Sequence, residues 1–274
     1  MNLRHQLESA CHKLVQFPSA RLEAEILMAY TLHAPRSFLY ANPELDLPFR
    51  HIHAFKKLVR RRSRGEPIAY ITGTREFWSL ELQVTPEVLI PRHETELLVE
   101  AALERLPQAQ SSRIADLGTG CGAIALAIGS ERPDTAIHAT DLSQAAIMLA
   151  RENAEKLGIK VEFHRGSWCE PLSGNFEMMV SNPPYIAAGD PHLELGDCRF
   201  EPTRALSPGK DALSDFRVIA KQASSRLNDR GWLVLEHGAD QASQIRDILQ
   251  QHGFSGISTL QDLSGHDRVT IGCK

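Results

Sequence analysis

The 274-residue sequence predicts an α/β protein with a Rossmann-like, seven-stranded, mostly parallel sheet and a small α-helical bundle ahead of it. Three observations predict it. Residues 1–70 carry only helical periodicity. From residue 93 onward, apolar strand runs alternate with helical runs. The first of those strands opens into a glycine loop and a helix start, "DLGTGCGAIALAI". The composition is that of an ordinary globular chain, 42% hydrophobic and 23% charged. A net charge of -4 argues against a duplex DNA binder, whose affinity comes mostly from Lys and Arg on phosphates.

The elements follow in order. "MNLRHQLESACHKLVQ" repeats Leu3, Leu7, Cys11 and Leu14 at helical spacing, lacks a signal-peptide core, and carries Glu8 where a transit peptide would avoid acid. Residues 18–34 place Leu22, Ile26, Ala29 and Tyr30 on one stripe after a cap at Ser19. Residues 48–67 place Ile52, Phe55, Leu58 and Val59 on another, ending at Gly65 and Pro67. The basic run "KKLVRRRSR" reads as the solvated face of that helix, ahead of a docking surface for an acidic partner or RNA. Residues 71–92, with Leu80, Leu82 and Val84 alternating, predict a β-hairpin or extended linker. A helix, "ETELLVEAALERL", then opens a domain over 93–274.

Its strands are expected at 113–118, 136–141, 161–166, 176–182, 231–238, 256–261 and 268–272. The last two are joined only by "DLSGHD", which suits an antiparallel pair. The five cysteines are scattered, as a reducing compartment permits, so a cytoplasmic protein is expected. No apolar run approaches the ~20 residues of a membrane span. The twelve histidines show no ligand spacing, and no metal is expected.

In the glycine loop, Gly118, Gly120 and Gly122 allow sharp turning and close approach of a ligand to main-chain amides. Gly118-x-Gly120-x-x-Ala123 also satisfies the dinucleotide fingerprint, and Asp141 ends the next strand where a carboxylate accepts from ribose hydroxyls. An adenosine-containing cofactor follows, with NAD and S-adenosylmethionine both open. Asp116, just before the loop, tilts the choice: its charge would repel a pyrophosphate and tolerate or attract ammonium and sulfonium groups. A helix or turn cap is the other reading of Asp116.

The run "SNPPYI" explains what the next site must hold. Pro183 and Pro184 remove two backbone donors and leave carbonyl acceptors. Asn182 adds a side-chain acceptor on an extended residue, and Tyr185 adds a flat face. The fourth strand ends here, in the ligand crevice. The guest that fits is a planar NH2 conjugated to an sp² system, with two N–H bonds for two acceptors. Accepting both would direct electron density onto nitrogen and aim it at an electrophilic methyl.

With these residues, the chain resembles the amino-methyltransferases of the class I, S-adenosylmethionine-dependent fold, which act on adenine N6, cytosine N4 or glutamine N5. "TGTREFWSLELQV", "LIPRHETELLVE", "DLGTGCGAIALAI", "NPPYI", "FEPTRAL" and "EHG" together resemble the HemK/PrmC family over essentially the whole chain. The resemblance implies S-adenosyl-L-methionine as cofactor, and as substrate the Gly-Gly-Gln glutamine of class I peptide-chain release factors. It implies that Gly118, Thr119, Gly120, Cys121 and Gly122 hold the methionine moiety, that Asp141 binds the ribose and that Trp168 flanks the adenine. It implies that Asn182, Pro183, Pro184 and Tyr185 clamp the glutamine amide, Asn182 also bordering the cofactor, with Asn182, Pro183 and Tyr185 carrying the catalysis. Residues 1–70 become a substrate-recognition domain. Cys121 stands where relatives often carry a small hydroxyl residue, and a thiol there brings sensitivity to oxidation. Arg92 frames the substrate entrance or joins the domains, and Glu201 stands behind the reacting groups. A monomer is expected. The alternatives are an adenine N6-methyltransferase of nucleic acid, which the acidic balance disfavours, and an NAD-dependent oxidoreductase, which leaves "NPPY" unexplained. A purely binding module has no need of the loop.

Overall fold

The helical periodicity of the N-terminal stretch becomes five helices in the computed structural model, which describes residues 2–107 and 112–274. They are α1 (Leu3–Lys13), α2 (Ala20–Leu32), α3 (Arg36–Ala41), α4 (Phe49–Ser63) and α5 (Ile68–Thr72). The chain divides into two units, one through Thr74 and one from Arg75. Asn2 caps α1 by accepting from the His5 amide at 3.1 Å. Leu3, Leu7, Leu14, Leu27, Met28, Phe55 and Val59 form the core of this unit.

Helix α2 departs from the expected stripe. Leu22 and Tyr30 are exposed, and Ala24, Leu27, Met28 and Ala29 face inward. The true face is hidden in the sequence because it includes a charge. Buried Glu25 accepts from Arg21 Nε (2.6 Å), Arg36 Nη2 (2.9 Å) and Tyr40 Oη (2.6 Å), partners that lie 4 to 15 residues away. Ser19 precedes α2 but its side chain makes no capping hydrogen bond.

The basic run of α4 is not all solvated either. Arg62 is buried and forks onto Glu23, Nε to Oε2 at 2.8 Å and Nη2 to Oε1 at 2.9 Å, with its guanidinium 3.7 Å above the Phe17 ring. Removing one partner of a buried pair leaves the other charge stranded. Glu23→Ala is therefore expected to destabilise this unit by ~3 kcal/mol, read as loss of amide hydrogen-exchange protection in α2 and α4.

The second unit opens within the first strand of a hairpin, β1 (Thr74–Phe77) and β2 (Leu80–Gln83), turned by Trp78 and Ser79, both at positive φ. A 3-10 turn (His93–Thr95) leads into α6 (Glu96–Arg105). Then come β3 (Arg113–Leu117), α7 (Ala123–Glu131), β4 (Ala136–Asp141), α8 (Gln144–Leu157), β5 (Glu162–Arg165) and β6 (Phe176–Ser181). The chain continues through α9 (Thr203–Leu206), α10 (Ser214–Arg226), β7 (Leu227–Glu236), α11 (Ala242–Gln251), β8 (Ser255–Gln261) and β9 (Asp267–Cys273). Strand β7 starts four residues before its expected onset at 231, and a register shift against β6 near Phe176 accommodates the extension.

The seven strands lie in the order β5-β4-β3-β6-β7-β9-β8. All pairs are parallel except β7 with β9 and β8 with β9. Strand order therefore reverses between β3 and β6, and the C-terminal ends of β3, β4, β5, β6 and β7 share one edge. That edge carries the ligand crevice of a doubly wound sheet. Phe176, Met179, Phe216, Leu233 and Leu235 fill the core behind it. Among the described residues no helix is long and apolar enough to cross a membrane.

Candidate active site

The sheet places the sequence-predicted residues in one row along that edge: Asp141 after β4, Gly118 after β3, Asn182 after β6. Trp168, beyond β5, joins them. Its Cζ3 lies 3.0 Å from where a Cβ on Gly118 would stand, so a side chain there would push the indole aside, and the Gly118 φ of 77° also favours glycine.

The loop's amides are mostly spent within the protein. Gly118 and Thr119 N–H both donate to Thr140 O at 2.9 Å, Gly122 N–H to Thr119 O at 2.9 Å, and Gly120 N–H to Asp141 Oδ2 at 3.0 Å. The expectation that the loop offers its amides to a ligand is thus corrected; what it offers is shape. No atom lies within 4 Å of a Cβ position on Gly120, so the loop surface there is open. The Thr119 hydroxyl is committed as well, donating to Asp116 Oδ2 at 2.6 Å.

Asp116 is fully buried and also accepts from the Ala125 amide at 3.2 Å, which makes it the cap of α7. Its Oδ1 has no hydrogen-bond partner. Burial pushes this carboxyl up to about 7, against the pull of its Thr119 and Ala125 bonds. The capping reading of Asp116 therefore holds. A pyrophosphate needs free amides at a helix N-terminus. Here the Ala125 amide is already taken by the buried Asp116 carboxyl, which sets an acidic group beneath the loop where a pyrophosphate would lie. That acidic group disfavours a dinucleotide and accommodates S-adenosylmethionine.

Asp141 Oδ1 accepts from Ser143 N at 2.8 Å while Oδ2 takes Gly120 N. A carboxylate has about four lone-pair sites, so capacity remains for ribose hydroxyls. Burial raises its pKa, and the Ser143 and Gly120 amides oppose that. Cys121 is buried and its thiol is pushed up to about 12 by burial, so it stays a thiol. The expected sensitivity to oxidation is not supported, since the thiolate is the reactive form.

At the end of β6, Ser181 Oγ donates to Leu117 O at 2.6 Å and ties the two central strands together. Asn182 Nδ2 donates to Thr95 Oγ1 at 3.2 Å. Pro183 is buried, Pro184 half-buried, and no hydrogen bond among the described residues reaches the Pro183 carbonyl. The Tyr185 carbonyl is taken by Gln241 Nε2 at 2.9 Å. The Tyr185 ring packs on the core, and burial raises the pKa of its phenol, which stays neutral.

Residues 94–204 match the Methyltransferase small domain family, and residues 5–73 match the PrmC N-terminal domain. The chain is 48% identical to a release factor glutamine methyltransferase of Xylella fastidiosa, over 92% of each chain. It is 49% identical to one of Pseudomonas aeruginosa, over 95% of each. This chain belongs to the release factor glutamine methyltransferase family. Its sheet also resembles that of a methyltransferase from Pyrococcus furiosus, with TM-score 0.56 at 16% identity over 78% of this chain and 96% of that one.

Two features of this family member were not legible as site residues. Thr95 sits in a 3-10 turn, and Glu236 ends β7 inside "EHG"; both are buried near Asn182. Burial pushes the Glu236 carboxyl up to about 7, with Thr95, Arg268 and Asn182 opposing and Glu94 reinforcing. Glu201 is buried behind the site, accepting from Ile90 N at 3.0 Å and pairing with Arg92, so both residues brace the segment around Ile90. Residues 186–200 contain two short 3-10 turns, Pro191–Glu194 and Cys198–Phe200.

One cluster of metal-ligand type exists among the described residues, formed by His138, Glu162 and His164. It lies away from the crevice, beside a cavity of about 980 Å3 at the N-terminal ends of β4 and β5. Arg113 Nε donates to His138 Nε2 at 3.0 Å, which puts the proton on Nδ1, 3.1 Å from His164 Nε2. The pair is closed by its own hydrogen bonds.

Proposed function

We propose that this protein transfers the methyl group of S-adenosyl-L-methionine to the N5 amide nitrogen of the glutamine in the Gly-Gly-Gln motif of class I peptide-chain release factors. One observation carries the proposal: the β6 end sets an Asn182 amide and an unpartnered Pro183 carbonyl at the switch point beside the glycine loop. Relatives that match more than nine-tenths of this chain are named for that activity.

The cofactor supplies an electrophilic methyl group. Gly118 to Gly122 hold its methionine part, Asp141 its ribose, and Trp168 the adenine face. Asn182 Oδ1 and the Pro183 carbonyl accept the two amide N–H bonds of the glutamine, and Pro184 and Tyr185 wall its plane. Both acceptors load density onto a nitrogen that is otherwise a poor nucleophile. Tyr185 remains a neutral phenol and is no base. None is required, because the nitrogen becomes acidic once methylated. Positioning of this kind is worth ~7–11 kcal/mol. Residues 1–70 recognise the release factor, the protein acts as a monomer in the cytoplasm, and its substrate is protein and not nucleic acid.

The test offers labelled S-adenosylmethionine with an unmethylated release factor, with the same factor changed at its Gly-Gly-Gln glutamine, and with duplex DNA. Label is expected only with the intact glutamine. Label in DNA would mean that the clamp holds adenine.

A further inference from the structure

Thr95 and Glu236 converge on the Asn182 side chain from two different elements. Asn182 Nδ2 donates to Thr95 Oγ1 at 3.2 Å. The Glu236 carboxyl is almost fully buried, its Oε2 lacks a partner, and Thr95 and Asn182 both favour its ionised form. An asparagine amide has one donating end and one accepting end, exchanged by a half-turn of its terminal torsion. Only the carbonyl end can receive an N–H from a glutamine amide. With Nδ2 turned to the threonine hydroxyl and Asn182 favouring the ionised Glu236, Oδ1 is the end left for the guest. The reversed amide would press Oδ1 against the Glu236 carboxylate and meet the substrate NH2 donor to donor.

We infer that Thr95 and Glu236 are positioning residues that lock the Asn182 amide with its carbonyl toward the substrate nitrogen. The inference rests on the methyl-transfer reading above. It also assigns a sign to pH. The groups facing Glu236 are Arg268 from β9, Glu94 and Thr95 from the 3-10 turn before α6, and Asn182 and Tyr185 after β6. A carboxylate rejects the reversed amide, whereas a protonated carboxyl can donate to its oxygen. The lock therefore weakens as pH falls through the Glu236 pKa.

The experiment uses the full chain with Thr95→Val, which keeps the shape and removes the hydroxyl, and Thr95→Ser, which keeps the hydroxyl, alongside Glu236→Gln. Kinetics on an unmethylated class I release factor are measured with calorimetric S-adenosylmethionine binding. Thr95→Val is expected to lower kcat about 10- to 100-fold, the scale of a misplaced reacting group. KM for the release factor and cofactor Kd should stay within about threefold, and Thr95→Ser should return kcat to within about threefold of the parent. Glu236→Gln should remove the acid limb of the kcat–pH profile. In the protein alone, the Asn182 side-chain NH2 resonances should exchange with water faster in Thr95→Val than in Thr95→Ser. An unchanged kcat in Thr95→Val, a Thr95→Ser variant as slow as it, or a loss confined to KM or cofactor Kd would overturn the lock. If the parent enzyme leaves the release factor unlabelled, the methyl-transfer reading fails instead, and the amide signal, which needs no substrate, still decides the lock.

Discussion

Asn182→Ala is expected to lower kcat for release-factor methylation by about 10²- to 10³-fold, the loss seen when one preorganised polar group is removed from a reacting centre. The effect should fall on kcat because the substrate N–H bonds strengthen as the nitrogen gives up its delocalised pair to the methyl. A group that acts more on the transition state than on the bound substrate lowers kcat without a matching rise in KM. Alanine also strands Thr95, which loses the donor that Asn182 Nδ2 supplies, and removes a group that favours the buried Glu236 carboxylate. Steady-state kinetics check the first effect and thermal unfolding the second. Asn182→Asp serves as the sharper control. Aspartate keeps acceptors toward the substrate, but it sets a second carboxyl beside Glu236, so it should be at least as inactive as alanine at neutral pH. A variant with kcat near that of the parent would move the nitrogen-activating role to the proline carbonyls alone.

How legible this site was depends on how local its parts are. The glycine loop and "NPPY" could be read because they pack their chemistry into five and four consecutive residues. The strand alternation then predicted that they meet at one sheet edge, and β3 and β6 are indeed neighbours. What escaped is what acts across the sequence. The buried Glu25 on α2 reverses the apparent amphipathic face because its partners, Arg36 and Tyr40, belong to another helix. Arg62 looked like one more cation in a basic run, and only its approach to Glu23, 39 residues away, makes it buried. Thr95 and Glu236 meet Asn182 over 87 and 54 residues of chain respectively, without any spacing that pattern reading could detect. The loop amides taught the reverse lesson. Glycines that suggest an anion cradle can instead serve a backbone that closes on itself, and the difference lies in the Thr140 carbonyl and the Asp141 carboxylate.

Asp141→Ala is expected to weaken S-adenosylmethionine binding about 100-fold, measured by calorimetry on the protein alone. Asp141 has two tasks that alanine removes together. It holds the loop by accepting the Gly120 and Ser143 amides, and it supplies the acceptors proposed for the ribose hydroxyls. Each buried or half-buried donor left unsatisfied costs ~1–3 kcal/mol, so two lost partners reach the tenfold-per-1.4 kcal/mol scale twice over. Asp141→Asn separates the tasks. Its carbonyl can still accept one amide, but its NH2 opposes the second and offers the ribose only a neutral partner, so a loss of about tenfold is expected. Because this damage sits on the cofactor side, kcat at saturating S-adenosylmethionine should recover to within about threefold in the asparagine variant, the opposite pattern to Asn182→Ala. If both Asp141 variants bind the cofactor as tightly as the parent, the ribose lies elsewhere and the carboxylate serves only to close the loop.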